Sequence, residues 1–299
     1  MSGTATNRTN ITLPQDISQE IITKTQEGSA IMQLARRINL PGRGITIPMI
    51  TGDPEASWVA ETASKPVSNP SLSTKIMEAY KLAVIVPFSD EFRRDLKALY
   101  DEIVRRIPAV LGETFDATVI GKVAKPGANF DNLASCTAQS LSSDAYAGLV
   151  AADTDVAVHG GLLNGYAISP QCKGVLLSAT DDNGRPLFIN SVAEGAIPMI
   201  LGSPTKLTKG VYKAGTPASG DDPAVPNIVG IAGDWTKAMF GTVEGVKVTV
   251  SDEATLVVGS GDDATTINLF QQNMFAVRAE IEVGFRADTD VFNLLTTTA

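Results

Sequence analysis

From Met274 to Arg286 apolar and polar side chains alternate along the chain. Phe275, Val277, Ala279, Ile281, Val283 and Phe285 fall on one side, and Arg278, Glu280, Glu282 and Arg286 on the other. A period of two over this length predicts a strand with one face in the core. A different period starts at Ser89. Phe92, Leu96, Leu99, Ile103, Ile107, Val110, Leu111 and Phe115 recur in steps of three and four, which defines one face of a helix. Ser89 reads as its N-cap, with Asp90 and Glu91 at the positive end of the helix dipole. The pairs Asp90–Arg94, Asp101–Arg105 and Glu102–Arg106 support it at i, i+4. The helix is predicted to kink at Pro108 and to end near Lys122, before the KPGAN break at 125–129. At ~1.5 Å per residue this is a rod of about 50 Å.

Ahead of that helix the pattern thins. Residues 51–74 form a polar excursion that holds Trp58 and Val59 among Pro66, Ser68, Pro70 and Ser71, with too few apolar residues to fold on itself. ITIPMI at 45–50 leads out as a strand that Pro48 confines to an edge. Lys75–Val86 leads back, with Ile76, Tyr80, Leu82, Val84 and Val86 on one face. The pair predicts a β-hairpin arm that lies against another copy of the chain. Residues 1–15 read as a flexible arm, 16–27 as a short helix and Ile31–Leu34 as a short apolar turn. PGRG at 41–44 breaks the chain, so this N-terminal part is expected to lie across a surface without forming a compact domain.

Beyond the long helix, 133–233 predicts an α/β lobe. It contains a capped helix in SSDAYAGLVAAD, a strand and helix in YAISPQCKGVLLSAT, a strand in IPMILGSPTKL and another in NIVGIAGDW. DDNGRPLF at 181–188 is a turn, and residues 214–227 are a loop without periodicity. VKVTV at 246–250 alternates as a strand and GSGDDAT at 259–265 is a turn.

Composition narrows the chemistry. The 299 residues carry a net charge of −9, concentrated in residues 126–299, which hold nine basic against nineteen acidic side chains. Such a surface repels phosphate and argues against sequence-specific nucleic-acid binding. The N-terminus MSGTATNRTNITLPQD is polar, and no apolar run approaches the ~18–20 residues of a membrane span. Cys136 and Cys172 form no motif and are expected as free thiols in a reducing compartment. His159 is the single histidine, which removes His-based metal clusters and most triads; it reads as a structural or surface residue. The Asp pairs at 181–182, 221–222 and 262–263 lack calcium-loop spacing and read as turns. No catalytic, cofactor or metal site emerges, and two tryptophans are few for a sugar-binding cleft.

Five motifs in order resemble one family. SWVAETASKP at 57–66 resembles the tip-side part of the extended loop of tailed-bacteriophage major capsid proteins of the Hong Kong 97 type. KLAVIVPFSDEFRRD at 81–95 is similar to that family's return strand and spine-helix start. DDNGRPLF and ILGSPTKL (200–207) resemble its axial-domain signatures, and GDWTKAMFGTVEGVKVTVSDEAT (233–255) with RAEIEVGFRADTDVF (278–292) its peripheral sheet and C-terminus. The resemblance implies an α+β capsid fold with an N-terminal arm at 1–44, an extended loop at 45–86 and a peripheral domain with the spine helix at 87–132. An axial domain at 133–233 and the peripheral sheet with the C-terminus at 234–299 complete it.

It further implies a non-enzymatic shell protein that assembles as pentamers and hexamers around double-stranded DNA in a virion, built in the bacterial cytoplasm. The implied partners are a portal, decoration proteins and, since only about forty residues precede the loop, a scaffolding function that is either a separate protein or was never fused. Trp58, Glu61, Lys65, Arg93, Arg94, Asp95, Arg278, Glu280 and Arg286 are the implied subunit-interface residues. Some relatives crosslink a loop lysine to a neighbour's asparagine. For Lys65 with Asn268 or Asn273 the expectation is fastening by packing and charge instead. An encapsulin-type compartment and an acidic carbohydrate-active enzyme are the alternative readings.

Overall fold

The structure, a computed structural model, describes residues 23–42, 44–50, 58–59, 72–91, 96–181, 183–188, 197–219, 222–243, 246–259 and 264–299. Side chains are described throughout these except at 48–50, 72–73 and 96–105. Two sheets and a long helix organise the molecule. The first sheet is built around β14 (Met274–Ala287), the strand that the alternating pattern predicts. β4 (Tyr80–Ser89) runs antiparallel along one edge of it. β10 (Ala238–Thr242) and β11 (Lys247–Ser251) follow one another along the opposite edge, also antiparallel. β1 (Arg36–Asn39) adds to β10 in parallel. Phe275, Val277, Ala279, Ile281, Val283 and Phe285 are all buried, as the period-two reading expects.

The second sheet has six strands in the order β5-β15-β9-β6-β8-β7. These are β5 (Thr137–Ser140), β15 (Phe292–Thr297), β9 (Asn227–Gly233), β6 (Gly165–Ile168), β8 (Ser203–Leu207) and β7 (Met199–Ile200). Its inner strands are apolar on both faces because both faces are covered. Tyr166, Ile168, Val229 and Leu295 pack with α3 (Ala145–Val158) and α4 (Pro170–Ser178). Ala167, Ile231 and Leu294 face α1 (Ala30–Leu34) and the long helix α2 (Leu96–Val119). One apolar cluster therefore runs through both sheets, holding Ile231 and Leu294 together with Phe115, Phe240 and Phe285.

Several boundaries differ from the sequence reading. Ser89 ends β4 opposite Met274, and its hydroxyl accepts the Glu91 N–H at 3.5 Å. The described helix begins at Leu96, and residues 92–95 between them lie outside the described residues. Pro87 sits in β4 without penalty because β4 pairs on one side only, where a missing N–H can face outward. The helix runs through Pro108. Ile107, Leu111 and Phe115 are buried as predicted, but Val110 is 47% exposed. The return of the arm is two strands. β3 (Leu72–Met77) pairs with β2 (Ile45–Ile50), while β4 belongs to the first sheet. The break between them turns the face over, so Met77 is buried and Ile76 exposed.

The described N-terminal part contributes to the core through Thr25, Ser29–Met32, Ala35 and Leu40, while Arg36, Arg37 and Asn39 stay exposed. Residues 23–28 are helical, α1 packs into the main cluster and β1 is a sheet strand. IPMILGSPTKL is a hairpin, β7 and β8, turned at Leu201 and Gly202, both at positive φ. Residues 214–227 carry hairpin-like bridges Thr216–Val225 and Ser219–Asp222. The C-terminal strand β15 lies inside the second sheet, between β5 and β9, and not in the first. β12 (Thr255–Val258) and β13 (Thr265–Asn268) flank the 259–265 turn; its residues 260–263 lie outside the described residues.

Two buried charged side chains tie these parts together. Asp116 of α2 is fully buried and takes the Ser29 hydroxyl at 2.5 Å and the N–H groups of Ala30 and Ile31 at 3.1 and 3.4 Å. A side chain of one helix thus caps another, satisfying N–H groups that have no intrahelical partner. Burial pushes its carboxyl up to about 7, against the lowering effect of the Ser29 and Thr208 hydroxyls and the two N–H groups.

Arg286 is the second. It is 7% exposed. Its guanidinium reaches Asp131 at 2.6 Å, Asn129 at 2.9 Å and, through Nε at 2.8 Å, the Ile76 carbonyl. Lys75 reaches the same Asp131 carboxylate at 3.3 Å and the Ala287 carbonyl at 2.9 Å. The network binds β3, the segment after α2 and the end of β14 at one point. It fixes the root of the β2–β3 hairpin.

Truncating one member of a buried ion pair strands the other charge, which costs about 3–5 kcal/mol. Arg286→Ala should therefore lower the urea unfolding midpoint by an amount matching that cost. Arg278→Ala on the same strand, whose guanidinium is exposed, should cost less than about 1 kcal/mol. Asp116 gives a pH signature. Its folded pKa lies above the ordinary 3.8, so its share of stability is complete below about 3.8 and is lost as pH climbs toward about 7. Denaturant unfolding from pH 4 to 8 should show wild type losing stability relative to Asp116→Asn up to about pH 7, then a constant difference.

Candidate assembly surfaces

The arm leaves the body at a defined place. Gly44 has φ +81 and its N–H returns to the Pro41 carbonyl at 2.8 Å; a Cβ there would sit 2.5 Å from the Met77 carbonyl oxygen, so the turn requires glycine. From this root β2 and β3 run out as a two-stranded ladder from Ile45–Met77 to Ile50–Leu72. Leu40, Ile47 and Met77 form a small buried cluster at its base. Past its far end Trp58 is 105% exposed and Val59 37% exposed. A two-stranded ladder is marginal in water, and a bare indole beyond it adds nothing to its own subunit. Glu61 and Lys65, and Arg93, Arg94 and Asp95 at the start of the helix, lie outside the described residues.

The outer face of the first sheet carries the other sequence candidates. Arg278 Nε meets Glu280 at 3.1 Å, and Lys81 meets Glu282 at 3.7 Å across the β4–β14 ladder. Ile85, opposite Arg278, stands 49% exposed among these charges. Arg286, a candidate for polar contacts within or between subunits, makes contacts of the first kind. Although its position in the period puts it on this face, it is turned inward and these hydrogen bonds stay inside the chain. Alternation says which side a residue occupies and not whether another element covers that side.

A further surface was missed. α3 starts at Asp144, whose carboxylate takes the Ala147 N–H at 3.0 Å. Leu149, Ala152 and Val156 are buried on its inner side, yet Tyr146, Val150 and Val158 on its outer side are 49%, 38% and 76% exposed, with Leu162 beyond at 79%. The signal was in AYAGLVAADTDVAV, which is apolar nearly all round: a helix with no polar side belongs under cover on both sides.

Chemistry is sparse. Both cysteines are free, and burial pushes their thiols up to about 12, with Asp290 adding to the effect at Cys136, so neither is a thiolate near neutrality. His159 ends α3 at the surface, its Nδ1 2.8 Å from the Asp155 carbonyl. Asp181 takes the N–H groups of Asn183 and Arg185 at 2.9 and 2.7 Å, which makes it a turn residue. Among the described residues no group of three or more His, Cys, Asp or Glu could hold a metal ion, and no helix is long and apolar enough to cross a membrane.

Comparison with known proteins gives these surfaces their context. Residues 9–290 match the phage capsid family. The chain is 27% identical over 299 residues to the probable major capsid protein gp17 of Mycobacterium phage D29, covering 95% of this chain and 89% of that one. It is 29% identical over 303 residues to the corresponding protein of Mycobacterium phage L5, with the same coverage. A solved structure from Gordonia phage Cozz superposes with a TM-score of 0.66 at 22% identity, over 91% of this chain and 87% of that one. With a long helix, two sheets and an outward hairpin arranged as described, and a match over nearly its whole length, this chain belongs to the phage capsid family and has the Hong Kong 97-type α+β capsid fold.

Proposed function

We propose that this chain is the major capsid protein of a tailed phage and that it assembles as pentamers and hexamers into an icosahedral shell around double-stranded DNA. The family match carries the reading, and the curated relatives' description as probable major capsid proteins points the same way. Trp58 supports it from within the chain: a fully exposed indole beyond a rooted ladder is accounted for if a neighbour covers it. The shell is the protein's role and catalysis is not. Its place is the virion, reached by assembly in the bacterial cytoplasm with a separate scaffolding protein and a portal, and with room for decoration proteins outside. Acidic walls suit a container whose DNA is held without sequence-specific contacts.

Self-contacts extend over three surfaces: the arm from Trp58 through Glu61 and Lys65, the start of the spine helix at Arg93, Arg94 and Asp95, and the outer sheet face at Arg278 and Glu280. Arg286 serves indirectly by rooting the arm. Single exposed charge pairs contribute little, so repetition around a closed shell supplies stability. Fastening is noncovalent.

Negative-stain electron microscopy of the purified protein should show capsomer rings or uniform icosahedral particles; a monomer that persists at high concentration contradicts the reading. Assembled shells should run as a single monomer band in denaturing electrophoresis, whereas ladders would reveal covalent crosslinks. Trp58→Ala should leave subunit stability unchanged and raise the concentration needed for assembly about tenfold or more, the scale of an aromatic anchor. Light scattering against concentration measures it.

A further inference from the structure

We infer that Asn183–Gly184 is a site of spontaneous covalent modification, at which the Asn183 carboxamide is converted to aspartate or isoaspartate, and that Asp181 sets the pace. The inference goes beyond the shell reading and does not depend on it. An asparagine followed by glycine is the pair most open to this reaction, because glycine has no Cβ to shield its own nitrogen. The chain contains two such pairs, Asn164–Gly165 and Asn183–Gly184. The fold treats them oppositely.

Asn164 is held at both ends of its carboxamide. Its Nδ2 donates to Asp234 at 2.9 Å and its Oδ1 takes the Trp235 N–H at 2.9 Å. Gly165 is buried in β6 against the Trp235 ring, which a Cβ would meet at 2.8 Å. That carboxamide cannot turn toward the Gly165 nitrogen without leaving Asp234. Asn183 and Gly184 are both exposed, and the Asn183 side chain has no hydrogen bond among the described residues. A Cβ built on Gly184 would meet nothing within 4 Å, so the space around it is open.

Asp181 restrains the pair. Its Oδ1 takes the N–H groups of Asn183 and Arg185 at 2.9 and 2.7 Å, and its carbonyl takes the Gly184 N–H at 2.9 Å. An amide proton engaged this way is withheld from base, so the reaction proceeds from openings of the turn. Exposed turns open locally at low cost.

On opening, solvent hydroxide takes the Gly184 amide proton and the freed nitrogen attacks Cγ of Asn183. The new N–Cγ bond closes a succinimide ring, the Cγ–Nδ2 bond breaks, and Nδ2 leaves as ammonia. Water then opens the ring, at Cγ to give aspartate or at the backbone carbonyl to give isoaspartate. Nothing is oxidised or reduced. Either product adds a negative charge near Asp181. Isoaspartate also lengthens the main chain by one carbon inside the turn that the Thr180–Pro186 bridge closes. The change falls on the wall of a surface cavity that Thr180 and Asp181 share with Asp144 and Tyr146 of α3.

Peptide mass spectrometry tests this on the full chain. Folded wild type kept in mildly alkaline buffer should gain the mass of an amide-to-acid exchange at Asn183 and not at Asn164. The same chain held in urea should gain it at both. Part of the Asn183 product should resist a protease that cleaves at aspartate, which marks isoaspartate. Asn183→Gln should abolish the gain at this position. Asp181→Ala should raise the folded-state rate about fivefold, the scale of ~1 kcal/mol for one lost hydrogen bond. Asn164, still unmodified, reports that the variant is folded. If Asp181→Ala does not fold, Asp181→Asn, which keeps a weaker acceptor, decides the same point by a smaller acceleration. Folded wild type in which Asn183 gains mass no faster than Asn164 overturns the site. An unchanged rate in the folded Asp181 variant overturns the role of Asp181.

Discussion

A guanidinium cannot be buried without partners, and Arg286 is buried. That constraint organises much of the fold. Its charge demands Asp131, which must come from the segment leaving the long helix. Its remaining donors demand acceptors, which come from Asn129 and the Ile76 carbonyl on the arm. Three stretches far apart in sequence are thereby forced into one place. The consequence is mechanical: an arm with almost no core of its own is held at its root by a contact that is costly to open. An arm rooted this way can present its tip to a neighbour without drawing stability from its length.

The two sheets are joined as firmly. The chain passes from the second to the first at Asp234–Trp235 and back at Asp288–Val291. These crossings are stitched to each other, Asp234 N–H to the Val291 carbonyl at 3.1 Å and Asp288 N–H to the Lys237 carbonyl at 3.2 Å. The Trp235 ring meets Phe292 edge-on at 5.2 Å and its Nε1 donates to the Gly165 carbonyl at 2.9 Å. Asp116 adds the N-terminal segment to the same body by capping α1. The main apolar cluster is shared by both sheets, which leaves the arm and the exposed outer faces as means of contact.

Periodicity made the strongest parts of this fold legible. β14 and the C-terminal half of the long helix follow from patterns of two and of three to four, with Arg286 and Val110 the positions where tertiary surroundings depart from them. The arm was legible as a deficit, a stretch with nothing to bury. Boundaries were less legible for a physical reason: Ser89 ends a strand against Met274 as well as taking the Glu91 N–H, and only the second of these is written locally. Long-range pairings were hidden for the same reason. Nothing local in FNLLTT tells that it enters the second sheet, and nothing local in Arg286 tells that Asp131 waits for it. Of the contact candidates, Trp58 stood out as an apolar residue without company, while the outer stripe of α3 passed unnoticed because its apolar residues looked like ordinary core.

The central claim is that the exposed end of a rooted arm is completed by a neighbouring copy. Cryo-electron microscopy of assembled particles, at a resolution that shows indole side chains, tests it most directly. The account predicts Trp58 enclosed by the adjacent subunit, with Arg286 and Asp131 paired at the root of the same arm. A shell in which Trp58 faces solvent in every subunit, with neighbours meeting only elsewhere, would contradict it.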